Sequence, residues 1–291
     1  MSGILPVELY YPIYYFVSAF LTIYYYLQLS KGNGLGNKKN GYGIVLCYAV
    51  IFIIIVGLRP ISGYYFGDTS NYAVGFEQLQ GTPFFDVEDE RIFHYLTWFC
   101  AQTVDVHVYF LIVEILYIVP VLIACKKICP TNPEVMMLFF MTAFSFFTYG
   151  TNGIRNGMAC SLVILAIAYA SDKRFIGKII AAVLAFIAYG CHKSTALPIL
   201  CIIVCSFYKN SKVLTYFWIL SIGISLVAGG SVEAFFTSLG FDDRMSTYSS
   251  SNVDESLFSS TGFRWDFLLY SAMLIVLGWY AIFKREIVSE K

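Results

Sequence analysis

Charge is what this sequence has least of. Asp, Glu, Lys and Arg make up 13% of its 291 residues, where a soluble domain carries roughly 25%. So little charge cannot clothe a water-soluble globule. It does not suit a disordered chain either, since disorder goes with low hydrophobicity. Lys and Arg number 19, Asp and Glu also 19, and no Lys/Arg run is longer than two residues. This argues against nucleic acid as a partner. Histidine is scarce, at 3. No His or carboxylate stands at metal-ligand spacing beside Cys201 and Cys205, which lie four apart on one helical face. The cysteines sit mostly inside apolar runs, where Cys acts as a small hydrophobe, so no metal centre, cofactor site or disulfide framework is expected.

What the chain has in excess is apolar and aromatic surface. Hydrophobic residues reach 58% and aromatics 18%, with 26 Phe and 23 Tyr, and mean hydropathy is +0.68. That suits a lipid solvent with aromatic belts at its edges. About 20 apolar residues cross a bilayer. On that measure we expect an all-α, polytopic integral membrane protein, residues 1–291 forming one transmembrane domain. Nine spans are predicted, at about residues 10–29, 43–58, 106–124, 134–149, 155–171, 175–191, 193–208, 213–229 and 264–283. The first has no basic n-region and no small-residue cleavage site, so it reads as a retained helix.

Lysine sets the direction. Lys31, Lys38 and Lys39 follow the first span, Lys126 and Lys127 the third, and Lys209 and Lys212 the seventh. Lys173, Arg174 and Lys178 separate the fifth and sixth, and Lys284 and Arg285 follow the ninth. With the N-terminus outside and the C-terminus inside, nine crossings put all of them in the cytoplasm. Arginine sorts the other way: Arg59, Arg91, Arg155, Arg244 and Arg264 fall at or near the outer face. A planar, permanently charged fork grips phosphate or carboxylate, so an outer anionic ligand is expected. The alternative is pairing with the acidic residues, most of which also fall outside. The two long outer segments are 59–105 and 230–263. Within the first, residues 91–104 read as an interfacial or re-entrant helix.

Three constellations carry chemistry. In RPISGYYFGDTSNY, Arg59 to Tyr72, Asp68 and Tyr72 share a helical face if a helix begins there, although Asp68 could equally be an N-cap. In TNGIRNGMACSL, Thr151 to Leu162, Arg155 and Asn156 open an apolar helix whose positive end suits an anion. Gly153 and Gly157 form a GxxxG pair, which more often marks close helix packing. In CHKSTALP, Cys191 to Pro198, His192 closes a span at the outer face as a candidate acid or base. Glu114 lies mid-span, where ionisable residues are functional by default or else protonated or paired. It is not included in the candidate site.

The series Arg59, Gly67-Asp68-Thr69, Tyr72, then IRNGMA at 154–159, His192-Lys193-Ser194 and GFRWDFLLYSA at 262–272 resembles the EpsG-like family of bacterial polysaccharide polymerases of the Wzy type. The resemblance runs from about residue 10 to 283. It implies a metal-independent glycosyltransferase of the bacterial cytoplasmic membrane, acting in exopolysaccharide, capsule or O-antigen synthesis. Its substrate would be undecaprenyl-diphosphate-linked oligosaccharide on the outer leaflet, and its partners membrane lipid and the flippase and chain-length regulator of the same pathway. On this reading Asp68, Arg155 and His192 are catalytic: Arg155, with Arg244 or Arg264, faces the diphosphate, and Asp68 or His192 is the base. Arg59, Tyr72, Asn156 and Ser194 complete the substrate contacts. Asn156 stands where the family usually has Gln, and family chains usually continue through further hydrophobic segments. The rival readings are a lipid-linked oligosaccharide flippase, which should show two similar halves, and a membrane O-acyltransferase, whose basic pockets should face the cytoplasm.

Overall fold

The computed structural model describes residues 3–30, 39–208, 210–238 and 265–284. All regular structure among them is helical. The helices are α1 (Tyr10–Ser30), α2 (Lys39–Gly57), α3 (Gly63–Phe66), α4 (Thr69–Leu79), α5 (Arg91–Thr103), α6 (Val106–Ile128), α7 (Pro133–Met141), α8 (Phe146–Thr151), α9 (Ile154–Ala170), α10 (Phe175–Cys191), α11 (Ala196–Phe207), α12 (Ser211–Ser238) and α13 (Trp265–Trp279). By length and composition, Val106–Ile128 and Ser211–Ala228 are long and apolar enough to cross a membrane. Five more apolar helical stretches are shorter, between 10 and 17 residues. The chain divides into two compact units, Met1–Ile202 and Ile203–Lys291.

In the first unit α6 is the axis, with α2, α7 and α9 packed against it and α10 against α9. Asp105 starts α6, its carboxylate accepting from the N–H groups of His107 (2.8 Å) and Val108 (3.1 Å). Lys126 and Lys127 occupy its last turn, where cations oppose the negative end of the helix dipole. Lys127 Nζ then donates to Asp172 Oδ2 at 3.0 Å, just past the end of α9. Arg174 Nη2 grips the same oxygen at 2.9 Å. Hydrogen bonds from Arg174, then from Lys127, hold the Asp172 carboxyl well below the usual range. Ser161 of α9 donates to the Leu116 carbonyl of α6 at 3.3 Å. The two helices therefore run in the same direction. Their C-termini meet at Lys127 and Asp172, and their N-termini lie at the other end with α5.

The segment expected to cross at 134–149 is not one helix. It is α7 and α8, of 9 and 6 residues, separated by residues 142–145. Thr142 Oγ1 donates to the Leu138 carbonyl at 2.9 Å, a local bond of the kind that competes with helix continuation. The carbonyls at the break are satisfied from neighbouring helices. The Tyr14 hydroxyl of α1 donates to Met141, and the Tyr117 hydroxyl of α6 donates to Phe146 at 3.0 Å. Tyr14, Phe52 and Tyr117 pack with Phe146 and Phe147 in the larger apolar core. A second core joins α4, α5, the first half of α6 and the start of α9 through Phe76, Phe93, Tyr109 and Met158. Residues 91–104 are helical as expected, over Arg91–Thr103. Outward, α1, α7 and α10 present large apolar side chains, among them Phe16, Phe139 and Phe186.

In the second unit α12 kinks at Ala228 (φ −128°, ψ 24°). Helix α13 runs on into a π-helical turn over Tyr280–Lys284. Lys212 Nζ sits 5.2 Å from the centre of the Phe283 ring, a cation–π contact.

Candidate active site

Arg59 is the first of the expected site residues in chain order, and the structure puts it elsewhere. It is fully buried, with no exposed surface, and its guanidinium is consumed by the protein. Nη1 donates to the Val56 carbonyl at 2.8 Å. Nη2 donates to Thr69 Oγ1 at 3.1 Å and to the Thr151 carbonyl at 3.0 Å. Thr69 Oγ1 donates to that same Thr151 carbonyl at 2.8 Å. The Phe110 ring lies 4.7 Å from Cζ. Arg59 thus corrects the expectation of a ligand-facing arginine: it ties the ends of α2 and α8 to the start of α4. Next to it the Asp68 N–H donates to Asn152 Oδ1 at 2.7 Å. Gly67 permits this approach, because its φ is +55° and a Cβ there would collide with the Asn152 side chain.

These two ties fix the starts of α4 and α9 beside one another, and hence Tyr72 and Arg155. Arg155 Nε donates to the Tyr72 hydroxyl at 3.2 Å, and its Nη1 is paired with Glu90. Glu90 is the residue that sequence reasoning missed. It ends the loop before α5 in a left-handed conformation (φ 51°, ψ 38°), the one non-glycine with positive φ among the described residues. Such backbone is uncommon and often marks a functional site. Its other carboxylate oxygen, Oε1, stands 2.9 Å from His192 Nδ1. That contact has ion-pair distance but not hydrogen-bond alignment, which leaves the buried Nδ1 without a hydrogen-bond partner. Gly190 of α10 lets α5 come this close: a Cβ there would sit 2.5 Å from Ile92 Cδ1. Asp89 pairs with Lys193 one residue further along.

The same cluster edges a cavity of about 270 Å³ between α4 and α5. Its walls include Tyr72, Phe76 and Phe93, with Asn71, Glu90, His94 and Arg155 among its polar groups. Burying one apolar face of a sugar against aromatic rings while polar groups meet its hydroxyls is chemistry this lining can perform. His192 is not on the cavity wall but reaches it through Glu90. Asp68 is half-buried behind Asn71, whose Nδ2 donates to Asp68 Oδ1 at 3.1 Å. Asp68 stands at the N-cap position of α4 without making the capping bond. Ser194 Oγ donates to Asn156 Oδ1 at 3.4 Å, so those two meet each other. Arg244 and Arg264, and the 239–263 part of the second outer segment, lie outside the described residues.

The signal that could have found Glu90 is a carboxylate at a helix start, in the run Asp86, Glu88, Asp89, Glu90. Its link to Arg155 spans 65 positions, and no spacing rule reaches that far. Gly157, read as a packing residue, sits where a Cβ would lie 2.6 Å from the Tyr149 carbonyl oxygen. No curated protein and no solved structure matches the chain. A family model does, over residues 42–290, and on that match the chain belongs to the EpsG family.

Proposed function

We propose that this chain is a polymerase of lipid-linked oligosaccharides, embedded in the bacterial cytoplasmic membrane with its site open to the outer leaflet. Family membership supports a polymerase-like role in polysaccharide biosynthesis. The observation that carries the finer reading is the Arg155–Glu90–His192 cluster on the edge of an aromatic-walled cavity. It joins a cation for a diphosphate, a proton acceptor and a sugar-sized space. The membrane reading is supported by the apolar helices and their outward Phe side chains. The orientation is supported by α6, about 34 Å long at 1.5 Å per residue: Lys126 and Lys127 lie in its last turn and the Arg155 cluster lies toward its other end.

The chemistry is displacement at a sugar carbon. The hydroxyl of one repeat unit attacks the anomeric carbon of the growing chain, whose bond to the undecaprenyl diphosphate breaks. The electron pair leaves on the diphosphate oxygen, and Arg155 meets that growing charge in a partly buried setting. Tyr72, bonded to Arg155 Nε, holds the guanidinium in place. The hydroxyl proton passes to a base, His192 or Asp68.

The test is Arg155→Ala beside Arg155→Lys, assayed with a defined lipid-linked repeat unit. Arg155→Ala should lose about 10²–10³ in rate, as removal of one transition-state donor does. Single units should then accumulate at normal protein abundance. Arg155→Lys should recover little, because it lacks the planar fork. Normal polymer from Arg155→Ala at normal abundance would end this reading.

A further inference from the structure

The contact between Glu90 and His192 bears on which imidazole nitrogen would serve as the base. His192 Nδ1 is buried without a hydrogen-bond partner, and Glu90 Oε1 stands 2.9 Å away, within reach of a hydrogen bond after a small turn of the ring. An ionised carboxylate only accepts, so the proton of a neutral imidazole belongs on Nδ1. Nε2 then keeps the lone pair, on a side chain that retains 22% of its exposure. The other Glu90 oxygen is held by Arg155, so the carboxylate bridges the two side chains. Asp89 on Lys193 anchors the same loop to the strand of chain that carries His192.

We propose that Glu90 is a positioning residue that forms a dyad with His192, setting its tautomer and ring orientation so that Nε2 takes the proton of the acceptor hydroxyl. This rests on the polymerase reading for the identity of the reaction. The step balances without any cofactor. The hydroxyl O–H breaks to His192 Nε2, its oxygen bonds the anomeric carbon, and the lipid diphosphate departs with the electron pair. The logic is that of a carboxylate holding a catalytic histidine in the right tautomer.

The informative variant is Glu90→Gln. Arg155 Nη1 is a donor, so the amide oxygen turns to it and the amide NH₂ faces His192. Nδ1 must then accept, and the proton moves to Nε2. With 3 histidines in the chain, selective ¹⁵N-histidine labelling of the purified full chain in detergent reads the tautomer directly, His192→Ala assigning the signal. Spectra are taken on the alkaline side of histidine's ordinary titration. We expect Nδ1–H in the wild type and Nε2–H in Glu90→Gln. In the polymer assay Glu90→Gln should lower kcat about 10²–10⁴-fold, the range for general-base loss, with KM unchanged. Glu90→Asp should recover part of it, and Glu90→Gln with His192→Ala should fall no further than His192→Ala alone. An Nε2–H tautomer in the wild type, or a wild-type kcat in Glu90→Gln, overturns the dyad. The tautomer needs no turnover, so it decides the dyad even where Arg155→Ala polymerises normally and the function reading falls by itself.

Discussion

Arg59 and Arg155 are the same side chain put to opposite uses. Arg59 has no exposed surface and bonds backbone carbonyls and Thr69. Arg155 keeps 24% of its side chain exposed, on a cavity, with a carboxylate and a phenol as partners. A cation buried like Arg59 must be satisfied by the groups around it, and the Val56 and Thr151 carbonyls and Thr69 Oγ1 do this. Leaving a buried polar group without its partner typically costs about 1–3 kcal/mol. Arg59→Leu should therefore lower the thermal midpoint in detergent and the amount of folded protein, and what folds should turn over more slowly, because the tie that sets Tyr72 beside Arg155 is lost. A folded Arg59→Leu protein at full abundance that makes no polymer would instead put Arg59 in contact with substrate.

At the scale of elements, the site depends on how closely α8 crosses α9. The second glycine of the GxxxG pair stands under a backbone carbonyl, 2.6 Å from where a Cβ would be. Backbone cannot step aside as a flexible side-chain end can. Gly157→Ala should destabilise by about 1–3 kcal/mol, the usual penalty of overpacking. Gly153→Ala should be milder, since its Cβ would meet a Tyr149 ring carbon at 3.3 Å. Thermal unfolding of the two variants side by side measures the difference. Equal midpoints would mean that α8 can shift away from α9. Such a shift would also move Arg155, two residues before Gly157, so Gly157→Ala should weaken polymer formation as well.

At the scale of the whole molecule, the lysine pattern makes a claim about sidedness. A reporter fused after Lys39 should score cytoplasmic, and one within residues 245–256 should score external. The break between α7 and α8 does not alter this by itself, because the chain from Lys127 still has to return to the Arg155 end of α6 before α9 begins. The opposite score at either position would reverse the side on which the cavity opens, and with it the outer-leaflet substrate.

Composition and periodicity alone determine that this chain is helical and apolar. They place its segments too, because hydrophobic runs and the Asp, Pro and Lys residues that start and stop helices act over a few positions. Seven of the nine expected segments have a helix within a few residues of their expected bounds, the helix at 91–104 was legible, and Arg155 and His192 could be picked out as polar groups at helix ends. The interruption at 142–145 was not legible. It depends on tyrosines from α1 and α6 arriving to satisfy the carbonyls of Met141 and Phe146. Nor was the division of labour between Arg59 and Arg155, since both are arginines beside glycine-containing outer-face motifs. Burial is decided by what packs around a residue, and the partners of Arg59 come from 10 and 92 positions away. Glu90 was one acid among several in a loop until α5 and α10 packed together. Only that packing turns it into the group between Arg155 and His192, because electrostatic pairing depends on distance in space and a sequence records distance along the chain.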